Sequence, residues 1–233
     1  MNAGQSITGA KERRREMFLT EVQMRDEDAA RFFPANPYNW HKVVWSFFPE
    51  RSDRDFLYRV DYAPRGIRLM LLSAVQPVFV HKGESYFYRS REIPESFYTH
   101  SLYRFQVRVN PTRRMKRDAR TGMSVEKGIR VPITDERELL EWLERKGKSG
   151  GFSLPGMRQH QNEAYHISVV QEARLNFQKR GCGRAHHASV QFSGVLQVED
   201  AALFKKTFQE GIGSAKSFGF GLLMLQPLDS KIQ

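Results

Sequence analysis

Residues 164–200 read AYHISVVQEARLNFQKRGCGRAHHASVQFSGVLQVED. Over 164–177 the odd positions from Ile167 to Phe177 are mostly apolar. Over 188–198 Val190, Phe192, Leu196 and Val198 take that role. A period of two marks a half-buried strand. Two such runs flanking KRGCGR predict a long β-hairpin. Asp200 then caps a helix over 201–210 that ends at Gly211, and FGLLML (220–225) is a closing strand. Upstream, SLYRFQVRV (101–109) alternates through Tyr103, Phe105, Val107 and Val109. TDERELLEWLERK (134–146) is a helix with Thr134 or Asp135 as its cap and Leu139, Leu140 and Leu143 on its core face. From about Tyr98 the order is therefore β-α-β-β-α-β, the ferredoxin-like arrangement.

The first part of the chain begins the same way. MFLTEVQM (17–24) reads as a strand. YNWHKVVWSFF (38–48) reads as an amphipathic helix, with Trp40, Val44, Phe47 and Phe48 at helical spacing. FLYRVDY (56–62) and IRLMLLSAV (67–75) are strands joined by a turn at Pro64 and Gly66, and FYRSREIP (87–94) reads as an irregular connector. The expected fold is α+β, with two tandem ferredoxin-like (RRM-like) βαββαβ domains. Residues 17–97 form the first and 98–233 the second, after a flexible extension over 1–16. The two units share architecture without sequence self-similarity.

Lys and Arg total 37 against 26 Asp and Glu, a formal charge of +11 on 233 residues. That excess favours a polyanion, either nucleic acid or an anionic membrane surface. The charge clusters. RRMKRDAR (113–120), continuing to Lys127 and Arg130, reads as a basic loop, and the hairpin carries Arg174, Lys179, Arg180 and Arg184. Cys182 is the single cysteine, so no disulfide can form within the chain and a reducing cytoplasm is expected. No Cys/His spacing suits a metal, and no cofactor is expected. No apolar run approaches the roughly 20 residues that span a bilayer. MNAGQSITGAKERRRE lacks the apolar core of a secretory signal, so no membrane partner is expected.

GIGSAKSFGFG (211–221) places four glycines around Lys216, Phe218 and Phe220. Gly211 suits a helix C-terminus. The others let a backbone approach a ligand closely, and with Lys216 the natural ligand is a phosphate. No Walker pattern is present, and a strand rather than a helix follows. Two further readings stand at this point: an imitation of the RNP1 motif of RNA-recognition domains, and a plain turn.

GIGSAKSFGFGLLML resembles the C-terminal glycine-rich loop of the CasE family, the repeat-cleaving endoribonucleases of subtype I-E CRISPR systems. NPYNWH (36–41) resembles the family's Tyr-x-x-His element, RVNPTRR (108–114) its Arg-x-Asn-Pro segment, and FSGVLQVED (192–200) the strand before its last helix. The similarity spans about 17–228. It implies a metal-independent endoribonuclease that cuts CRISPR repeat RNA at the base of its stem-loop. Attack by the 2′-OH leaves a 2′,3′-cyclic phosphate and a 5′-OH. The product hairpin stays bound, and the protein becomes a subunit of the Cascade complex.

Tyr38 and His41 are three apart and share a helix face. His41 lies off the centre of the apolar stripe, and without the resemblance the two are an ordinary surface pair. With it, the catalytic residues are His41, Tyr38 and Lys216. His41 moves protons near neutral pH as base, acid or each in turn. Tyr38 orients the 2′-OH or the phosphate, and Lys216 with the loop N–H groups stabilises charge on the phosphorane. Some family members carry a further lysine one turn along this helix, where this chain has Ser46. His186 and His187 are candidate substitutes, although histidines on a hairpin surface are usually bystanders. The expected RNA contacts are Gly211, Gly213, Ser214, Lys216 and Ser217 in the loop, Arg113, Arg114, Lys116, Arg117 and Arg120 in the basic segment, and Arg174, Lys179, Arg180 and Arg184 on the hairpin. The basic segment suits phosphates along the stem, and the hairpin suits guanine edges at its base. Two other classes remain: an RNA-hairpin-binding subunit that no longer cuts, and a structural protein whose charge is incidental.

Overall fold

The computed structural model describes residues 16–25, 27, 38–63, 66–79, 86–117, 124–158, 165–179 and 182–228. The first unit contains β1 (Phe18–Met24), α1 (Tyr38–Ser46), β2 (Phe56–Ala63), β3 (Gly66–Ser73) and β4 (Tyr86–Glu92). They form one antiparallel sheet in the order β2-β3-β1-β4. Alternation puts Val22, Met24, Phe56, Tyr58, Leu69 and Leu71 on one face, and α1 covers that face with Trp40, Val44 and Phe47. The other face turns toward the second unit.

The stretch expected as a connector over 87–94 is in fact β4 as far as Glu92. Its period was hidden because it is an edge strand, paired with β1 alone among the described residues. Tyr86 and Tyr88 sit on the apolar side, where Phe79 stacks 4.2 Å from Tyr88. Arg89 and Arg91 are exposed at alternate positions and no residue of β4 is fully buried, so no core residue marks the strand. The described part of the link between β3 and β4, residues 74–79, contains no helix.

The second unit follows a 3-10 turn (Glu95–Thr99). Its elements are β5 (Leu102–Val109), β6 (Thr112–Arg117), β7 (Ser124–Pro132), α2 (Glu136–Ser149), β8 (Phe152–Ser153), α3 (Pro155–Arg158), β9 (Ser168–Lys179), β10 (Cys182–Val198), α4 (Ala201–Glu210) and β11 (Leu223–Pro227). The sheet runs β11-β5-β10-β8, with β9 also on the outer edge of β10. The second strand of the ferredoxin-like order is thus split into β8 and β9. Asp135 accepts from the Glu138 N–H at 2.9 Å and Asp200 from the Leu203 N–H at 2.9 Å, so both helices have carboxylate caps.

Two expectations about length change. The hairpin strands run to Lys179 and Cys182, so KRGCGR is largely strand. Apolar alternation fades at Val190, where β10 loses β5 as a neighbour. The ladder to β9 continues without it, because ladder hydrogen bonds need no apolar face. Residues 182–189 therefore belong to a two-stranded ribbon reaching roughly 25 Å past the sheet. The basic loop expected over 110–130 is also a ribbon, β6 paired with β7, with Met115 opposite Ile129. Its charged composition concealed the alternation. Residues 118–123, including the predicted Arg120, and residues 180–181, including Arg180, lie outside the described residues.

The two sheets share a core. Met17, Leu57, Met70, Leu72 and Ile93 of the first unit pack with Tyr103, Phe105, Leu196, Ile212 and Leu222 of the second. A polar seam borders it. Buried Arg59 donates to Asp61 (2.9 Å) and to Gln191 (2.8 Å). Arg108 donates to the Val60 carbonyl (2.8 Å) and pairs with Asp61 (3.0 Å) and Glu172 (2.7 Å). Ser189 donates to Glu172 as well. Replacing Arg108 with Met leaves two carboxylates facing each other without their shared cation. Urea unfolding should show a loss of about 3 kcal/mol, and an unchanged midpoint would remove the seam from the stabilising interactions.

Candidate active site

The glycine loop is shaped first by its own closure. Gly211 ends α4 with its N–H on the Thr207 carbonyl at 2.8 Å, and Ile212 donates to the Gly221 carbonyl at 2.9 Å. Gly221 donates to the Arg108 carbonyl at 2.8 Å, which ties the loop to β5. A Cβ on Gly221 would meet the Ile212 carbonyl oxygen at 2.5 Å, and φ there is +87°, so only glycine fits. Gly211 thus serves the helix end and the loop base. Gly213 and Ser214 line a cleft described below.

Between these ends, Lys216–Phe218 form a 3-10 turn entered through Ala215 in a left-handed conformation. The buried Tyr58 of β2 donates its hydroxyl to the Ser217 carbonyl at 2.7 Å. Burial pushes its phenol well above the usual range, so it remains a donor. α1 lies directly beside this turn. His41 belongs to that helix and Lys216, 175 positions later in the chain, to the turn; the charge of Arg54 acts on both.

His41 is half-buried on α1. The Trp45 indole N–H points at its Nε2 at 3.1 Å, with the rings perpendicular and 6.1 Å apart. Nδ1 is buried without a hydrogen-bond partner. Burial, and then the positive charge of Arg54, hold His41 below its ordinary value. Lys216 is also half-buried. Burial lowers its ammonium pKa, Glu210 opposes this, and Arg54 and Lys146 add to it. Tyr38 opens α1; its side chain lies outside the described residues.

Two residues weigh more than the sequence reading gave them: Arg54 was not singled out there, and His187 was named only as a candidate substitute. Arg54 stands exposed in the link before β2, and its charge acts on His41, Tyr58 and Lys216 together. Nothing in the local pattern SDRD marks it. Ser46 brings no charge, since its hydroxyl donates to the Val43 carbonyl at 2.7 Å. The cation whose charge reaches His41 is instead Arg54. His187 is the second. Expected on the hairpin surface, it is half-buried, with Nδ1 2.8 Å from the Asn110 side-chain amide and its ring 5.1 Å from that of Phe218. Burial lowers its pKa. The RVNPTRR motif could have indicated this, because Asn110 belongs to it.

Beside the loop a cleft of about 370 Å³ is lined by Asn110, Arg114, Arg130, Trp142, Lys146 and Gly213, among others. Arg114 lies directly opposite Arg130 in the β6–β7 ladder. Like charges in that position repel, an arrangement suited to an anion between them. Arg113 is bound by Glu138, so its charge is largely answered within the chain. Lys116 is exposed on β6. Arg117, Arg174, Lys179 and Arg184 are placed by backbone only, the first on β6 and the rest on the long ribbon. Among the described residues, no three His, Cys, Asp or Glu side chains gather as a metal site. No helix among them is long and apolar enough to cross a membrane.

A family described as CRISPR associated protein matches residues 17–227. The CRISPR system Cascade subunit CasE of Escherichia coli (strain K12) is 30% identical over 91% of this chain and 100% of its own length. The chain belongs to the CasE family. A second relative, the CRISPR-associated endoribonuclease Cse3 of Thermus thermophilus, is 27% identical over 91% of this chain and 100% of its own. A solved structure of the CRISPR endoribonuclease Cse3 bound to a 19-nucleotide RNA superposes with a TM-score of 0.72. It is 25% identical and covers 91% of this chain and 100% of that one. The tandem ferredoxin-like arrangement is thus a property of the family.

The electrostatics make a direct prediction. His41 should titrate below 6.5, its ordinary value. Arg54→Gln removes a cation that disfavours the imidazolium, so the midpoint should rise. Imidazole NMR titration of both proteins checks this; an unmoved midpoint would separate Arg54 from the site.

Proposed function

We propose that this chain is an endoribonuclease that cuts CRISPR repeat RNA at the base of its stem-loop and remains on the product hairpin as a Cascade subunit in the cytoplasm. The observation that carries this reading is that α1, which bears His41, lies beside the turn that bears Lys216, with the charge of Arg54 acting on both residues and a cationic cleft beside the loop. Family membership gives the substrate class, and the geometry supplies the chemistry.

In this reading the scissile phosphate rests against residues 213–217. Lys216 and Arg54 offset the negative charge that builds on the phosphorane as the 2′-OH attacks. His41 transfers the proton, and its lowered pKa keeps a large neutral fraction at pH 7. Tyr38, at the start of the same helix, orients the attacking or phosphoryl oxygen. No step requires a metal, and the products are a 2′,3′-cyclic phosphate and a 5′-OH. The flanking backbone continues into the cleft of Arg114, Arg130 and Lys146. Arg113, Lys116, Arg117 and Arg120 follow the phosphates of the stem, and the ribbon bearing Arg174, Lys179, Arg180 and Arg184 meets its base. Residues 17–97 supply the proton-transfer helix. Residues 98–233 supply the RNA platform, with 1–16 as an extension.

The test is single-turnover cleavage of the repeat RNA in excess EDTA. Wild type should cut at one site, and His41→Ala should lose about 100-fold or more while still binding. Lys216→Ala should weaken cleavage, binding or both. Arg114→Ala should weaken binding alike for all sequences and reduce the salt slope by about one. Tight binding without cutting by wild type would replace the enzyme with a binding subunit.

A further inference from the structure

The resting geometry of His41 raises a difficulty that points to a further residue. An indole N–H can only donate. The 3.1 Å contact from Trp45 Nε1 therefore requires His41 Nε2 to be an unprotonated acceptor. A neutral imidazole carries one proton, which then sits on Nδ1, and Nδ1 is buried without a partner. Neither nitrogen is open to an RNA hydroxyl in this state. Trp45 is itself held, half-buried, with its ring edge-on to Phe56 of β2 at 5.2 Å. One helical turn separates it from His41.

We propose that Trp45 is a positioning residue: its indole N–H holds His41 in the tautomer protonated at Nδ1, and RNA must displace that bond to engage the imidazole. This rests on the reading of His41 as the proton-transfer group. The charge that acts on His41 from outside α1 is that of Arg54. Lys216 stands on the adjoining turn, and Glu172 of β9, the other strand beside α1, is bound to Arg108. The site thus holds its histidine neutral and tethered until a polyanion arrives between these cations. The indole then trades one acceptor for another, and His41 turns toward the scissile linkage.

The experiment is nitrogen-15 imidazole NMR on the full chain, wild type and Trp45→Phe. Each is measured alone and with repeat stem-loop RNA carrying a 2′-deoxy nucleotide at the cut. Phenylalanine keeps an aromatic ring beside Phe56 and removes the donor. Free wild type should show His41 protonated at Nδ1. In Trp45→Phe the population protonated at Nε2 should rise about fivefold, the effect of one neutral hydrogen bond. The acidic limb of the cleavage profile should move up by roughly half a unit to one unit, because nothing then competes for Nε2. Adding the RNA to wild type should shift the Trp45 indole and His41 Nε2 signals together. A proton on Nε2 in free wild type, or the same tautomer in Trp45→Phe, overturns the inference. His41→Ala separates the two levels. If that variant cuts like wild type, the catalytic reading fails; if it is inactive and the Trp45→Phe spectra match wild type, only the role of Trp45 fails.

Discussion

A single buried hydroxyl joins the halves of the site. Tyr58 rises from the middle of β2, beneath the sheet face that α1 covers, and donates to the Ser217 carbonyl in the glycine loop. The acceptor is a backbone atom, so the bond fixes the path of the loop rather than the rotamer of a side chain. A Cβ on Gly219 would stand 3.1 Å from the Tyr58 ring, so the chain passes close over it. His41 is placed by α1, α1 by the first sheet, and Lys216 by a loop that leans on that sheet. The distance between His41 and Lys216 therefore depends on how the two units dock.

The docking itself mixes apolar area with a polar seam. Apolar burial has no direction, and it would tolerate sliding of one sheet over the other. Arg59 and Arg108 remove that freedom. Each reaches across to named partners, and Arg108 links β2 to the base of the long ribbon through Asp61 and Glu172. The first sheet, which carries α1, and the long ribbon are thus registered to each other through guanidinium geometry. Bidentate arginine pairing is well suited to such a task.

Where the sequence was legible, a core imposed its period. The helix over 38–46, the strands of the second sheet and both carboxylate caps follow directly from apolar spacing and from Asp135 and Asp200. The hidden elements are β4, where aromatic rings and arginines fall on exposed positions of both faces, and β6–β7, which is charged along most of its length and has few apolar residues. Pattern reading relies on contrast between faces, and these strands have little. Candidate site residues could be named from the sequence only where a motif stood, at Tyr38 and His41 and in the glycine loop. Arg54 was not named, and His187 was named only as a candidate substitute on the hairpin surface, because what each of them acts on lies far away in the chain. No local spacing records that Arg54 acts on Lys216, or that His187 lies against Phe218.

The long ribbon also carries an obligation. Over residues 182–189 β10 pairs with β9 and, among the described residues, with no other strand, so the edge that β5 serves further along is left open there. An open ladder of N–H and C=O groups invites a strand from another copy of the chain. The sequence of the ribbon, with Arg174, Lys179 and Arg184 along it, makes such stacking repulsive. The same positive charge that recommends the ribbon to a polyanion thus keeps free molecules apart. Neutralising it without supplying RNA, by charge-removing substitution for example, would expose an adhesive edge and favour fibrous self-association.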